Sequence, residues 1–267
     1  MTAGKAAIGR LKTGVPGLDA VLGGALPEFP FNIIAGPPGC GKTMLAHQIM
    51  FALAMPERPA LYFTILGEPP FKMLRYQQQF DFFDTEAIGL VDTWTPDMSV
   101  DEVATLLVAE IKRFGASRVV IDSLSGFEVT VASSFRADFR ESVSRMVSAL
   151  TATGAAVLMT CELEDRYDRL ALSPHGTAFL TDAIVMRRHA EVDSRLQRVI
   201  AVVKLRGGAH STERRMYHID ADGIKIGSML ADHEGMPGAA PSRSRGAAPL
   251  AVGPAPKTDP ADPGSAP

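Results

Sequence analysis

Gly36-Pro37-Pro38-Gly39-Cys40-Gly41-Lys42-Thr43 decides the reading of this chain. The stretch has the form G-x-x-x-x-G-K-[ST], the spacing of a phosphate-binding P-loop. The apolar run Phe31-Asn32-Ile33-Ile34-Ala35 before it predicts a buried strand. Met44 to Met55 behind it predicts a helix stopped by Pro56. Strand, glycine loop and helix together are the context the motif needs. Backbone N–H groups can then turn inward around phosphate oxygens, and the helix N-terminus adds partial positive charge. On this reading Gly36, Pro37, Pro38, Gly39, Cys40, Gly41, Lys42, Thr43 and Met44 cradle the phosphates of a nucleotide. Lys42 reaches the β- and γ-phosphates, and the Thr43 hydroxyl ligates Mg²⁺.

Outward from the loop, strands and helices alternate over residues 8–230. Ala60 to Leu66 and Ile88 to Asp92 read as strands. Ser99-Val100-Asp101-Glu102 has the capping-box form S-x-x-E and opens a helix that Gly115 stops. Arg118-Val119-Val120-Ile121-Asp122 is a buried strand ending in a carboxylate, the place for the second metal-organising group of a P-loop site. A helix from about Phe135 to Thr153 and a strand from Ala155 to Thr160 follow. This repetition predicts an α/β fold: a mostly parallel central sheet with helices on both faces. After Ala183 the pattern changes to antiparallel hairpins. Ala183 to Arg188 pairs with Gln197 to Leu205 across the link Ala190 to Ser194. Met216 to Asp220 pairs with Ile224 to Ile226 across Asp222-Gly223.

Residues 231–267 turn to Ala, Pro, Gly and Ser and read as a disordered tail, unable to bury enough apolar surface to offset ordering entropy. The net charge of −3 gives no global attraction to nucleic acid or to an anionic membrane. Nothing approaches the roughly 20 apolar residues of a membrane span, and the first residues lack a signal-peptide core. The two cysteines are Cys40 and Cys161, and Cys40 lies inside the P-loop. A disulfide there would obstruct the nucleotide, so a reduced, cytoplasmic setting is expected. The six histidines show no metal-ligand spacing.

These segments together resemble the KaiC-like branch of the RecA superfamily of P-loop ATPases. Thr13-Gly14-Val15-Pro16-Gly17-Leu18-Asp19 with Gly23 to Pro27 is similar to the family's entry segment. Ile121-Asp122-Ser123-Leu124-Ser125 is similar to its Walker B strand, Val203 to Gly208 to its K-x-R-G strand end, and Tyr217 to Ile224 to its closing hairpin. The resemblance covers residues 8–227 and implies a RecA-like fold with a single copy of the domain. It implies ATP and Mg²⁺ as ligands, with Asp122 and Thr43 at the metal. It also implies a homo-oligomeric ring, a hexamer favoured, in which Lys204 and Arg206 reach the nucleotide held by the neighbour. Alternation puts both cations on one strand face, as that role requires.

Two departures qualify the resemblance. The family's tandem Glu-Glu after the second strand falls here on Leu66 and Gly67, with Glu68 one position later. A base must come within about 3 Å of its water, directly or through one more water. Glu68 is the first candidate, Glu162 the second, and weak water activation the third reading. The adjacent Ser-Thr pair that one KaiC domain phosphorylates reads Ala178-Phe179 ahead of Thr181-Asp182, so autophosphorylation of that kind is not expected.

Three functions are compatible with these residues. One is a slow, regulatory ATPase working at subunit interfaces. Another is a nucleotide-gated scaffold for a regulatory protein partner, with little turnover. The last is a DNA-binding recombination accessory. Against the last, the segment after Thr160 mixes Arg166 and Arg169 with Glu162, Glu164, Asp165 and Asp168, which gives little pull on phosphates.

Overall fold

Along the parallel strands, odd and even side chains enter two different cores, and that alternation builds the molecule. The computed structural model describes residues 9–28, 31–52, 54–64, 70–84, 86–91, 98–131, 136–163, 178–192 and 194–230. In β3 (Phe31–Gly36), Phe31, Ile33 and Ala35 face one cluster and Ile34 faces the other. The first cluster is closed by α4 (Val100–Phe114), α5 (Leu124–Val131) and α6 (Arg136–Thr151) through Leu107, Phe127, Val143 and Met146. The second is closed by α1 (Leu18–Val21), α2 (Lys42–Phe51) and α3 (Pro70–Gln77) through Leu18, Leu45, Ile49 and Met73. Helices therefore cover both faces of the sheet, as the continuous apolar strands require.

The main sheet has nine strands. The remaining ones are β4 (Ala60–Thr64), β5 (Ile88–Val91), β6 (Arg118–Asp122), β7 (Ala156–Glu162), β8 (Ala183–Val192), β9 (Arg195–Leu205), β10 (Arg215–Asp220) and β11 (Gly223–Met229). Their order is β11-β10-β9-β8-β3-β7-β6-β4-β5. From β8 to β5 every pairing is parallel, and β9, β10 and β11 are added antiparallel. The short β1 (Arg10–Leu11) and β2 (Leu26–Pro27) pair separately. The expected α/β sheet with C-terminal antiparallel hairpins is the observed one.

Local signals set most of the boundaries. Ser99 and Glu102 form the reciprocal capping box, and Gly115 ends α4 at φ 63°. Several boundaries differ from the expectation: the first hairpin stays paired to Val192 and resumes at Arg195, so Ala190 to Val192 belong to the ladder and not to the link. The helix after the P-loop stops at Phe51, and Met55 bridges Arg58 around Pro56. Proline disfavours helical backbone at the residue before it, and the Arg118 guanidinium draws off the Ile49 carbonyl. The stretch after Asp122 is a helix, α5, because Leu124 and Phe127 bury themselves against the sheet. The last hairpin turns at Ala221-Asp222, not at Asp222-Gly223, and Gly223 already pairs with Asp220. Gln48 of α2 explains the shift. Its amide accepts from Ile224 N–H at 2.7 Å and donates to Ile224 C=O, and a Cβ at Gly223 (φ 108°) would meet it at 2.8 Å. The P-loop helix thus sets the register of the edge strand.

Candidate nucleotide site

The P-loop leaves the carboxyl end of β3 at Gly36 and enters α2 through Gly41, whose φ of 76° suits glycine. Pro38 and Gly39 are exposed at its crest, whereas Cys40 is buried below it. The first turn of α2 leaves its amides without partners inside the helix. Lys42 folds back over the loop and donates to Pro37 C=O at 3.0 Å.

Asp122 ends β6, two strands from β3, with β7 inserted between them. Its carboxylate is the centre of a hydroxyl cluster. Thr43 Oγ1 donates to Asp122 Oδ2 at 2.8 Å and Tyr62 Oη to the same oxygen at 3.3 Å. Thr160 Oγ1 donates to Oδ1. Sequence reasoning found Thr43 and Asp122 but missed Thr160 and Tyr62. Register was the only signal for them: Thr64 pairs with Asp122, and Met159 with Ile121, so β4 and β7 carry side chains past the carboxylate. Hydroxyl and carboxylate oxygens are the donors Mg²⁺ takes from protein, the rest of its shell being water and phosphate. The pair Thr43 and Asp122 fits that chemistry. Among the described residues, no cluster of three His, Cys, Asp or Glu suggests a different metal.

Glu162 closes β7 opposite Gly36, so its backbone is level with the start of the loop. It is exposed, and its own N–H donates to Ser125 Oγ at 2.9 Å. Glu68 falls outside the described residues, as do Trp94 and the segment 164–177. Cys40 and Cys161 are both buried and form no disulfide, and burial pushes the Cys40 thiol above its usual range.

Lys204 and Arg206 lie elsewhere. β9 runs antiparallel to β8, and its last residue, Leu205, pairs with Ala183, which is level with Asn32 at the start of β3. Lys204 is level with Ile33 through Ile184, about 10 Å of strand below Gly36. Both cations are drawn to the segment 178–182. Lys204 Nζ donates to Ala178 C=O at 2.7 Å, and Arg206 donates to Phe179 C=O at 2.6 Å and pairs with Asp182 at 3.5 Å. Burial, and then the charge of Arg206, hold the Lys204 ammonium below its usual pKa. The structure joins Thr43 to Asp122, with Lys42 beside them and Glu162 at the same end of the sheet, and sets Lys204 and Arg206 at the opposite end.

Two buried groups near the loop were not anticipated. Arg187 of β8 has no exposed surface, stacks on Tyr217 at 4.0 Å and donates to Gly41 C=O. His47 of α2 is equally buried, edge-on to Tyr62, with neither ring nitrogen hydrogen-bonded among the described residues. Burial pushes His47 down to about 4, against the opposing pull of Asp122. Its folded pKa lies below the unfolded value of 6.5, so only the unfolded chain takes up the proton between those limits. Stability is therefore complete above pH 6.5 and falls toward pH 4, by about 3 kcal/mol from this group in the ligand-free protein. Urea unfolding at pH 7 and pH 4.5 should show that slope, and His47→Leu should flatten it. An equal slope in the variant would assign the loss to other groups.

A phosphate loop between β3 and α2, faced by a carboxylate across one inserted strand, defines a RecA-like P-loop nucleotide-binding domain of ATPase type. The family model described as "ATPase: KaiC" matches residues 11–231, and this chain belongs to the KaiC ATPase family. A UPF0273 protein of Thermotoga maritima is 29% identical over 239 residues, covering 82% of this chain and 96% of that protein. The circadian clock oscillator protein KaiC of a Nostoc species is 25% identical over 238 residues, covering 88% of this chain but 45% of KaiC. Among solved structures, a KaiC-like protein of the hyperthermophilic archaeon Pyrococcus horikoshii superposes with a TM-score of 0.71 at 25% identity, covering 83% of this chain and all of that one. No helix among the described residues is long and apolar enough to cross a membrane.

Proposed function

We propose that this chain is a slow, Mg²⁺-dependent ATPase that assembles head to tail, each active site being completed by the next subunit. The observation that supports the reading is the separation of two sets of polar side chains on one sheet. Lys42, Thr43 and Asp122 occupy one end, and Lys204 and Arg206 the other. In one subunit the phosphates rest on the amides of the P-loop, with Lys42 leaving Pro37 to meet them. Thr43 and Asp122 would hold Mg²⁺, which would supply charge neutralisation to the phosphates. Lys204 and Arg206 of the neighbour supply further cations at the γ-phosphate, where phosphoryl transfer is promoted mainly by positioning and charge.

Water activation rests on Glu68 or Glu162, the latter held beside Gly36 by β7. A carboxylate displaced from its family position supports slow turnover. Autokinase activity is not part of the proposal. Thr181, the hydroxyl nearest the Ala178-Phe179 positions among the described residues, is fully buried and donates to Ala178 C=O. A regulatory role and a hexameric ring in the cytoplasm, with a partner protein and without nucleic acid, belong to the same reading, as does a separate tail over 231–267. The displaced carboxylate also favours a second reading, a nucleotide-gated scaffold with negligible turnover.

Light scattering with ATP, ADP or no nucleotide, followed by phosphate release on the same samples, separates the two. The ATPase reading expects assembly with ATP and measurable phosphate release. Assembly without phosphate release favours the scaffold, and a monomer under all conditions removes the shared site. Arg206→Ala should leave nucleotide affinity of the isolated subunit within about twofold and lower turnover about 100-fold, a typical loss for one charge-stabilising group. Undiminished turnover in that variant would end the trans role.

A further inference from the structure

Arg187 presents an unresolved electrostatic problem. It is fully buried, and among the described residues no carboxylate pairs with it. One terminal nitrogen donates to Gly41 C=O, while Nε and the other terminal nitrogen have no hydrogen-bond partner there. A buried charge of this kind is retained only where something compensates it.

Its location shows what could. Gly36 of the P-loop strand lies against the Arg187 backbone, where a Cβ would meet the Arg187 carbonyl at 2.4 Å. The guanidinium is packed behind Gly41, within 3.3 Å of where a Cβ on that residue would lie. The Gly41 C=O it bonds belongs to the same peptide group as the Lys42 N–H. Tyr217, the ring under the guanidinium, donates its hydroxyl to Cys40 C=O at 2.6 Å. That carbonyl shares its peptide with the Gly41 N–H. Two consecutive peptides at the end of the P-loop therefore have their carbonyls held from behind, one by a cation and one by a phenol. A hydrogen bond to a peptide carbonyl polarises the group and makes its N–H a stronger donor.

We infer that Arg187 and Tyr217 form a back-side relay that raises the affinity of the P-loop for oligophosphate, with the bound polyphosphate supplying the negative charge that no carboxylate among the described residues brings to the buried guanidinium. Arg187 acts through the Gly41–Lys42 peptide and is a positioning residue. The inference rests on the nucleotide-binding reading of the loop and adds a residue from β8, a strand outside the motif. It also ties ligand-free stability to affinity in opposite senses: without phosphate the guanidinium is a burden, and with phosphate it is an asset.

The test compares wild type with Arg187→Met, Arg187→Lys and Tyr217→Phe. Dissociation constants are measured for a fluorescent ADP and, by competition, for inorganic tripolyphosphate, alongside ligand-free melting temperature. The relay predicts that Arg187→Met melts no lower than wild type without ligand, yet binds both probes at least tenfold more weakly. Arg187→Lys, which keeps the charge, should recover most of that loss, and Tyr217→Phe should weaken both probes about threefold, in line with one neutral hydrogen bond. A purely structural brace would instead lower the ligand-free melting temperature in Arg187→Met and leave the affinity of the folded protein unchanged, which overturns the inference. If Arg187→Met fails to fold, Tyr217→Phe with unchanged affinity overturns it as well. Wild type that binds neither probe overturns the nucleotide reading and the relay together. Wild-type binding matched by all three variants overturns the relay alone.

Discussion

Lys42→Ala is expected to weaken ATP and ADP binding about 100-fold, the loss of one or two charge-assisted hydrogen bonds to phosphate at about 1.5–3 kcal/mol each. The side chain starts α2, half-buried beside the crest of the loop, and without ligand it occupies itself on Pro37 C=O at 3.0 Å. That contact is within one loop, so truncation removes no packing from either core. The variant should keep its fold, with a melting temperature within a few degrees of wild type, while titration with a fluorescent ADP fails to saturate at concentrations that fill the wild-type site. Lys42→Arg would not be a mild substitute, because the planar guanidinium cannot follow the path of the ammonium over Pro37. Wild-type affinity in Lys42→Ala would remove the phosphate-binding role of the loop.

Asp122→Asn should act on the metal rather than on the nucleotide. The carboxylate receives hydroxyls from Thr43, Tyr62 and Thr160, and an amide can accept at only one of its two ends. The substitution therefore removes the charge and leaves at least one hydroxyl to find a new acceptor. ADP affinity in the presence of a chelator should stay within about threefold of wild type. The gain in affinity on adding Mg²⁺ should vanish, and phosphate release should fall about 100- to 1000-fold, the range for removal of one charge-stabilising group in an active site. Undiminished Mg²⁺-dependent turnover would move the metal to other ligands.

The capping box at Ser99 and the P-loop at Gly36 to Thr43 were legible because their physics is local, each element supplying its own partners within a few residues. The strands were legible for a similar reason: runs such as Val119-Val120-Ile121 are apolar at every position because both faces of the sheet are covered. α5 was hidden because Ser123, Ser125 and Gly126 dilute the two residues, Leu124 and Phe127, that hold it down. Arg187 was hidden for a deeper reason. Beside Arg188 and His189 it reads as the polar end of a strand. Its alternation with Ala183 and Val185, both facing the α2 core, was the available signal, and only the pairing of β8 with β3 turns that signal into a position behind the phosphate loop. Thr160 and Tyr62 were obscured in the same way, since a hydroxyl in an apolar strand has no meaning until the neighbouring strand brings a carboxylate beside it.

The antiparallel return of β9 gives the subunit a direction. In the proposed assembly one end of the sheet offers a phosphate loop and the other offers cations, so the contact surface is not its own complement. A twofold dimer would place like ends together and leave every site half-built, whereas head-to-tail stacking closes into a ring or continues as a filament. Defects on the two ends then belong to different sites. A Lys42→Ala subunit spoils the site in front of it and can still serve the one behind, and Arg206→Ala does the reverse. Mixed in equal amounts, two inactive variants should regain activity at those junctions where the intact loop of one meets the intact cations of the other.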